Sequence, residues 1–285
     1  MKLKQTRVIL TGAASGIGKA LLKELVNHGA RVIAADIHAL NLRRAVAAFP
    51  KDQVMPFVGD LSSKSDIDLL FDVAANTFQK VDLFIANAGF AYFEKMNHPR
   101  WDRIEEIFHL NTFSPIYSLM KMKQMNLNRR HKVVMISSAM AFHAIPGYAL
   151  YGATKAALWR FADAYRFETK KKRLMMVYPA STATSFFEEA GKDIPKALPI
   201  QTPETVAKSI IQGILKDQAA VYPSLLFRFS MFLDRIFPWA MDLYQSMQAK
   251  KFEQWVAAQN PPPRKRKKKN NRKRKAGSQD SLPVS

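Results

Sequence analysis

Short apolar runs rich in β-branched residues alternate with longer segments of helical periodicity along residues 1–222. The runs that we interpret as buried strands are 7–11, 31–35, 53–57, 81–86, 132–136 and 174–178, with 219–222 as a candidate last strand. The intervening helices are predicted over residues 19–28, 41–49, 65–78 and 100–125. Strands that alternate with helices of this length predict an α/β fold with a doubly wound parallel sheet and helices on both faces.

A glycine-rich turn separates the first predicted strand from the first predicted helix. It reads Thr11-Gly12-Ala13-Ala14-Ser15-Gly16-Ile17-Gly18. Glycines at such a turn let backbone N–H groups approach a pyrophosphate at the positive end of the helix, although an ordinary glycine turn has the same pattern. The residues expected to contact a dinucleotide here are Gly12, Ser15, Gly16, Ile17 and Gly18.

Polar residues follow the ends of several predicted strands, which is where ligands of such sheets bind. Asp36 ends the second strand and is placed to accept a hydrogen bond from a ribose 2′-hydroxyl. Its carboxylate would repel a 2′-phosphate, and the next residue, Ile37, is apolar rather than cationic. We therefore predict NAD, with NADP as the alternative. The other cofactor contacts expected near strand ends are Asp60, Leu61, Asn87, Ala88 and Gly89.

Tyr151 and Lys155 stand four residues apart at the start of an amphipathic segment, so they share one helix face. A free tyrosine has a pKa of about 10 and is a poor base at neutral pH. A nearby ammonium would lower that pKa and allow the phenol to exchange protons. A solvated lysine beside a half-buried ring is the alternative interpretation of the pair alone.

In these motifs the chain resembles the short-chain dehydrogenase/reductase family over residues 4–220. The glycine turn and Asn87-Ala88-Gly89 match two of its cofactor motifs. The residues that match its catalytic tetrad are Asn111, Ser138, Tyr151 and Lys155. The resemblance implies a single Rossmann-type domain and an NAD(P)-dependent oxidoreductase.

The resemblance also implies a role for each member of the tetrad. Tyr151 would exchange a proton with the substrate oxygen while hydride passes between the substrate carbon and the nicotinamide. Lys155 would lower the pKa of the tyrosine and hold the nicotinamide ribose, and Ser138 would hydrogen-bond the substrate oxygen. Asn111 would hold a water that links Lys155 to solvent. Ser137 is the competing serine, but its side chain should face the other way on an extended segment.

One segment departs from the family pattern. After the sixth strand the family usually has Pro-Gly-x-Val-x-Thr, whereas this chain has Pro-Ala-Ser-Thr-Ala-Thr at residues 179–184. The missing glycine changes the backbone beside the nicotinamide. Thr182 and Thr184 are the cofactor contacts that we assign to this segment.

Residues 224–247 are strongly apolar, and a helix is predicted over 224–237 with a break at Pro238. The helix is too short to span a bilayer. Three interpretations are open: a cover over the substrate cleft, a dimer contact, or an interfacial membrane helix that admits a lipophilic substrate.

The carboxyl-terminal segment carries much of the net charge of +21, since ten cations and no acid lie between Arg264 and Lys275. A block of like charge after three prolines predicts a disordered basic tail over residues 261–285. Its candidate partners are an anionic membrane surface, reached through residues 224–275, and nucleic acid. No aromatic residue is interleaved, so base stacking is disfavoured, and a merely solubilising tail is the simplest alternative.

The chain has no cysteine, no signal-peptide pattern and no apolar run of the ~20 residues that a membrane span requires. We therefore expect a cytoplasmic protein without a metal site, attached peripherally to membranes if at all. The predicted organisation is a catalytic domain at 1–222, an apolar helical extension at 223–260 and the basic tail at 261–285.

These features predict an NAD(P)-dependent alcohol dehydrogenase or ketoreductase with a Ser-Tyr-Lys site and a lipophilic substrate. By resemblance to the family, we also expect a homo-oligomer. The alternative is a catalytically silent dinucleotide-binding sensor or scaffold whose tail binds nucleic acid or a partner. The complete tetrad favours the enzyme, because a sensor has no use for Ser138 and Tyr151 together.

Overall fold

A parallel β-sheet of seven strands with helices on both faces forms the centre of the protein, and the predicted fold class is confirmed. The computed structural model describes residues 1–127, 129–169, 173–184, 186, 190, 194 and 200–259. The strands are β1 Arg7–Thr11, β2 Arg31–Asp36, β3 Val54–Val58, β4 Leu83–Ala86, β5 Lys132–Ile136, β6 Leu174–Val177 and β7 Ala220–Val221. Their order in the sheet is β3-β2-β1-β4-β5-β6-β7, so the chain reverses direction across the sheet between β1 and β4.

Two layers of helices cover the sheet. The helices are α1 Gly16–Asn27, α2 Ala39–Val46, α3 Lys64–Phe78, α4 Trp101–Phe108, α5 Ser114–Met125, α6 Ala149–Glu168, α7 Pro203–Leu215, α8 Leu225–Ile236 and α9 Pro238–Gln259. Buried side chains of α1 and α7 pack on one face of the sheet, and those of α3, α5 and α6 pack on the other. Because both faces are covered, the central strands are apolar along their whole length rather than alternating.

The predicted continuous helix over residues 100–125 is wrong in one respect. A π-helical turn, His109–Phe113, separates α4 from α5 and contains Asn111. Pro115 lies in the first turn of α5 and has no N–H, so the α-helical hydrogen bond from residue 115 to the carbonyl of Asn111 cannot form. The interruption therefore has a local cause, and it places the buried Asn111 in an irregular turn.

The carboxyl-terminal helices begin where the sequence signals indicate. Thr202 and Ser224 cap α7 and α8 through their hydroxyl groups, which accept backbone N–H bonds of 3.2 Å from Thr205 and Phe227. α8 ends at Ile236 and α9 begins at Pro238, so the proline marks the predicted break. None of the helices in the described part of the chain is long and apolar enough to cross a membrane. The predicted basic tail at 261–285 and most of the loop at 185–199 lie outside the described residues.

Candidate active site

A cavity of about 850 Å³ lies at the edge of the sheet where the strands end. The predicted site residues that line it are Gly12, Ser15, Gly16, Ile17, Asp36, Asp60, Leu61, Asn87, Ala88, Gly89, Ser138, Tyr151, Lys155, Thr182 and Thr184. Gly18 and Asn111, which were also predicted as site residues, are not among the described residues that line it. The strand ends therefore bring together residues that are far apart in the chain.

The glycine turn is built for close backbone approach. Gly12 adopts a positive φ of 64°, and a Cβ atom added there would lie 2.8 Å from the side-chain nitrogen of Asn87. A Cβ on Gly18 would lie only 1.8 Å from the carbonyl oxygen of Gly12, so α1 can pack against the turn only with glycine at this position. The N-terminus of α1 receives no side-chain cap from Ser15. Its backbone N–H groups thus fit an anionic group such as a pyrophosphate.

Thr11 and Asn87 hold this turn against the end of β4. The Thr11 hydroxyl accepts bonds of 3.0 Å from the backbone N–H groups of Asn87 and Ala88. The Asn87 amide donates bonds of 3.0 Å to the carbonyls of Thr11 and Gly12. Asn87 therefore stabilises the conformation of the turn. Thr11, which belongs to the glycine-turn motif but was not predicted as a site residue, stabilises the same turn.

Asp36 lies at the end of β2 with its carboxylate largely buried. One carboxylate oxygen accepts a bond of 2.9 Å from the N–H of Ala14, and the other accepts one of 3.0 Å from the N–H of His38. The carboxylate is thus held at the cavity wall by two backbone donors. Ile37 beside it is 55% exposed and adds no charge to this corner.

The remaining predicted cofactor contacts also line the cavity. Asp60 accepts bonds of 2.9 and 2.8 Å from the N–H and hydroxyl of Ser62 and so shapes the turn before α3. The methyl group of Thr184 packs over Gly16, since a Cβ on that glycine would lie 2.9 Å away. The Thr182 hydroxyl donates a 3.0 Å bond to the carbonyl of Ala180. In spite of the departure at residue 180, both threonines line the cavity.

Tyr151 and Lys155 lie together in the buried part of the cavity, on the first turns of α6. The Lys155 ammonium is 5.5 Å from the centroid of the Tyr151 ring and donates a 3.2 Å bond to the carbonyl of Ile136. Burial lowers the pKa of Lys155 to about 8. Burial also raises the pKa of Tyr151 to about 12, and a hydrogen bond with Ser138 offsets part of the rise.

The direction of the Tyr151 shift is opposite to the predicted lowering by Lys155. The rise comes from burial of the phenolate in a low-dielectric pocket, which disfavours the charged form. At neutral pH Tyr151 therefore holds its proton and can donate it.

The two serines after β5 point to different sides, as extended geometry predicts. Ser138 lines the cavity beside Tyr151 and accepts a 3.1 Å bond from the N–H of Met140. The Ser137 hydroxyl instead donates a 3.0 Å bond to the backbone carbonyl of Lys155. Ser137 thus ties β5 to α6 and helps to position the lysine.

Asn111 is fully buried and joins three segments of the site. Its carbonyl oxygen accepts a 3.1 Å bond from the N–H of Phe90, and its amide donates bonds to the carbonyl of Phe90 at 2.8 Å and to the Thr154 hydroxyl at 3.2 Å. Thr112 adds a 3.2 Å bond to the carbonyl of Thr154. These contacts position α6 and the loop after β4, and the water relay predicted for Asn111 stays a prediction.

The other half of the cavity is lined mostly by apolar and aromatic side chains that belong to no motif. They are Phe90, Phe93, Leu110, Ile145, Tyr148, Phe186, Ile194, Leu226, Phe227, Met241, Tyr244 and Phe252. The Phe93 ring lies 4.8 Å from that of Tyr148 in a tilted contact and 5.4 Å from that of Phe252 in an edge-to-face contact, measured between ring centroids. Gly147 permits this packing, because a Cβ there would lie 2.3 Å from the Phe93 ring. The apolar pattern of residues 224–247 was the sequence signal for the part of this wall that α8 and α9 supply.

Comparison with known proteins identifies the class. A family model described as short chain dehydrogenase matches residues 6–195, which is more than half of the chain. The chain therefore belongs to this family of nicotinamide-dependent oxidoreductases, as its motifs predict. The residues present fit the cofactor, since the uncapped end of α1 and the glycine turn leave room for a pyrophosphate.

Curated relatives from vertebrates match most of the chain. Human epidermal retinol dehydrogenase 2 is 27% identical over 243 residues, which are 81% of this chain and 78% of the relative. Bovine short-chain dehydrogenase/reductase family 16C member 6 is 27% identical over 80% of this chain and 75% of its own length. The 3-dehydrosphinganine reductase of Danio rerio is 26% identical over 76% of this chain and 70% of its own length.

Solved structures share the fold. A short-chain dehydrogenase from Burkholderia phymatum in complex with NAD superposes with a TM-score of 0.74 at 17% identity, covering 83% of this chain and 95% of that one. A short-chain dehydrogenase from Sphingobium yanoikuyae in complex with NADPH gives 0.71 at 21% identity, with the same coverage. At these identities the likeness concerns the fold alone.

Proposed function

We propose that this protein transfers a hydride between a nicotinamide dinucleotide, preferably NAD, and the carbon of a lipophilic alcohol or ketone. The observation that carries the proposal is the meeting of Ser138, Tyr151 and Lys155 in one buried pocket, beside an apolar half-cavity.

In this proposal Tyr151 is the proton donor to the substrate oxygen when a carbonyl is reduced. Its raised pKa keeps the phenol protonated at neutral pH, and Ser138 beside it can hydrogen-bond the same oxygen. Lys155 keeps a positive charge near the phenol below a pH of about 8, which would favour the phenolate left after the transfer. For alcohol oxidation Tyr151 must first lose its proton, so that direction should be favoured at alkaline pH.

The preference for NAD rests on Asp36. Two backbone N–H groups fix its carboxylate at the cavity wall, where it can accept a bond from a ribose 2′-hydroxyl and would repel a 2′-phosphate. The next residue, Ile37, carries no positive charge that could bind a 2′-phosphate. We expect a lower KM for NAD than for NADP.

The proposed substrate is lipophilic because aromatic and aliphatic side chains form the half of the cavity beyond Tyr151 and Ser138. Two relatives whose names state retinol and 3-dehydrosphinganine support this, since both molecules combine a long hydrocarbon part with a hydroxyl or keto group. The secondary alcohol and ketone pair, or the primary alcohol and aldehyde pair, is the reacting function.

The proposed partners and location follow from the surface and the tail. We infer a cytoplasmic protein that attaches peripherally to anionic membranes through residues 224–275. Nucleic acid is the weaker candidate for the tail. We also infer a homo-oligomer, for which the exposed apolar residues Trp101, Phe113 and Met120 on and between α4 and α5 offer a contact surface. Light scattering would measure the assembly.

The function is tested by turnover of the purified full chain, followed through reduced-nicotinamide absorbance. Long-chain and polycyclic alcohols and ketones would be offered with NAD and with NADP. Tyr151→Phe should lower kcat by about 10²–10⁴-fold, because it removes the proton donor, and should leave cofactor binding within about twofold. The matched control is Tyr165→Phe on the same helix, whose ring stacks on Phe161 and does not line the cavity.

Turnover that survives Tyr151→Phe would contradict the mechanism. Tight cofactor binding without turnover of any compound would support the sensor or scaffold alternative, which nothing in the described residues favours at present. A lower KM for NADP than for NAD would contradict the proposed role of Asp36 in cofactor preference and leave the rest of the mechanism unaffected.

A further inference from the structure

We propose that α8 and α9 present a docking face for the surface of an anionic lipid bilayer, and that the substrate enters the cavity from this side. The docking face consists of Leu225, Phe229, Phe232 and Ile236 of α8 and of Trp239, Leu243 and Met247 of α9. The docking face deepens the membrane attachment proposed for residues 224–275, and the second half of the proposal, substrate entry, also rests on the proposed oxidoreductase activity.

The exposure of these side chains is the first observation. Every member of the docking face is exposed, from 49% at Met247 to 78% at Leu225. The four residues of α8 follow one another at intervals of four, three and four, so they form one stripe along the helix. Large exposed apolar surfaces of this kind mark interaction sites in soluble proteins. Aromatic and leucine side chains on one helix face are also typical of helices that lie in the membrane interface.

The opposite sides of the same helices form the cavity wall. Phe227 and Ser230 of α8 line the cavity, as do Tyr244 and Phe252 of α9. The wall between the cavity and the docking face is therefore one helix thick. If a bilayer covers the docking face, lipophilic molecules dissolved in that bilayer lie close to the apolar half of the cavity.

A cationic groove beside α8 indicates which surface the docking face meets. The groove, of about 420 Å³, is lined by Lys208 and Lys216 of α7 and by Arg228 of α8. Arg228 follows Leu225 by three residues and precedes Phe232 by four, so it borders the apolar stripe. No carboxylate is among the described residues that line the groove.

Apolar side chains with cations at their border match the two layers of a bilayer surface, acyl chains and phosphate headgroups. A second copy of this chain packed on this face would instead bring a second set of the same cations, Lys208, Lys216 and Arg228, close to the first. Charge complementarity thus favours an anionic lipid surface over self-association at this face.

The test is flotation of the full chain with vesicles of phosphatidylcholine, with and without phosphatidylglycerol. The double variant Phe229→Ser/Phe232→Ser should partition into the anionic vesicles at least tenfold less than the wild type. The matched control is Leu69→Ser on α3, which removes an apolar side chain of 53% exposure elsewhere and should change nothing. Measuring at about 0.5 M salt as well as 0.1 M separates the docking face from the tail, because screening weakens the tail's attraction to lipid far more.

The groove has its own variant. Lys208→Glu/Lys216→Glu should lower partitioning into anionic vesicles about fivefold at 0.1 M salt and have little effect at about 0.5 M salt. The melting temperature of each variant, measured in parallel, shows that it is folded.

The outcomes separate the two halves of the proposal. Undiminished partitioning of the Phe229→Ser/Phe232→Ser variant would overturn the docking face. The docking face would also be overturned if this variant lost self-association, seen by light scattering, but kept its vesicle binding. That result would show that a second copy of the chain, and not a bilayer, covers the face. Vesicle binding that depends on the docking face in a protein without any turnover would uphold docking while the proposed function fails. Turnover of vesicle-dissolved substrate should fall in the docking variant, whereas turnover of a water-soluble one should not.

Discussion

The cofactor half and the substrate half of the cavity are held together in different ways. In the cofactor half, short hydrogen bonds between strand ends fix the backbone, as in the bonds of 3.0 Å that join Thr11, Gly12 and Asn87. In the substrate half, side-chain rings from separate helices and loops meet, as Phe93 meets Tyr148 and Phe252. The shape of the cofactor half therefore depends on backbone geometry, and the shape of the substrate half depends on side-chain volume.

This difference predicts how each half responds to substitution. A backbone turn without free space should tolerate almost no added atom, whereas a wall of rings should adjust to a change of shape at a modest cost in free energy. Tyr151 and Lys155 lie where the halves meet, and burial governs the pKa of both.

The largest effect is expected from Gly18→Ala in the cofactor half. The new Cβ would lie 1.8 Å from the carbonyl oxygen of Gly12, and only a shift of backbone could relieve that contact. We expect cofactor affinity to fall by at least about 100-fold, or the free energy of unfolding to fall by about 3 kcal/mol or more. Calorimetric titration and thermal melting would measure both.

The matched control for this substitution is Gly152→Ala within α6. A Cβ there would lie 3.4 Å from the carbonyl oxygen of Met140, which is an ordinary contact. Alanine should therefore be neutral or stabilise the helix by up to about 1 kcal/mol. Equal losses in the two variants would show that the crowding at Gly18 is not the cause.

A smaller effect is expected from the pH dependence of stability at the junction of the halves. The pKa of Lys155 is lowered to about 8 in the folded protein from an ordinary value of 10.5. Between these values the unfolded chain binds more protons at this site, so the lysine makes the free energy of unfolding rise with pH. In Lys155→Met this contribution, about 1–3 kcal/mol, should be absent.

Denaturant unfolding of both proteins between pH 8 and pH 10 would measure the difference, since Tyr151 opposes the trend only above its ordinary pKa of 10. Parallel curves for wild type and variant would contradict the assigned burial of Lys155.

The smallest effect is expected from Phe227→Leu in the substrate half. Phe227 is buried, lines the cavity, and packs with its ring 5.4 Å from that of His143. A leucine keeps most of the volume, so the free energy of unfolding should fall by less than about 1.5 kcal/mol. The substrate KM should rise severalfold while the cofactor dissociation constant stays constant. An equal weakening of cofactor binding would break the distinction between the halves. Phe167→Leu, at a side chain that is 94% exposed, is the control.

Much of the cofactor half was predictable because its geometry is local. A strand, a glycine turn and a helix in succession define the site of a pyrophosphate within a few residues. Parallel strands then gather their carboxyl ends at one edge, so Asp36, Asn87 and Ser138 could be placed together without knowledge of side-chain packing. The same reasoning assigned Ser138 rather than Ser137 to the cavity, because alternate residues of an extended segment face opposite sides.

The π-helical turn at Asn111 shows where such reasoning stops. The periodicity of residues 100–125 is helical throughout, and it does not distinguish a continuous helix from one interrupted before Pro115. The direction of the Tyr151 pKa shift was also out of reach. The distance to Lys155 follows from helix geometry, whereas burial depends on every segment packed around the ring.

The sequence by itself determined the parallel sheet, the cofactor turn and the set of residues at the strand ends, because periodicity and turn chemistry are properties of neighbouring residues. Only the tertiary structure decided which sides of α8 and α9 close the substrate half and which remain exposed. Both sides of these helices carry apolar residues, so the sequence pattern predicts that each side is covered by another surface. What covers each side depends on packing between segments more than a hundred residues apart, as between Phe93 and Phe252.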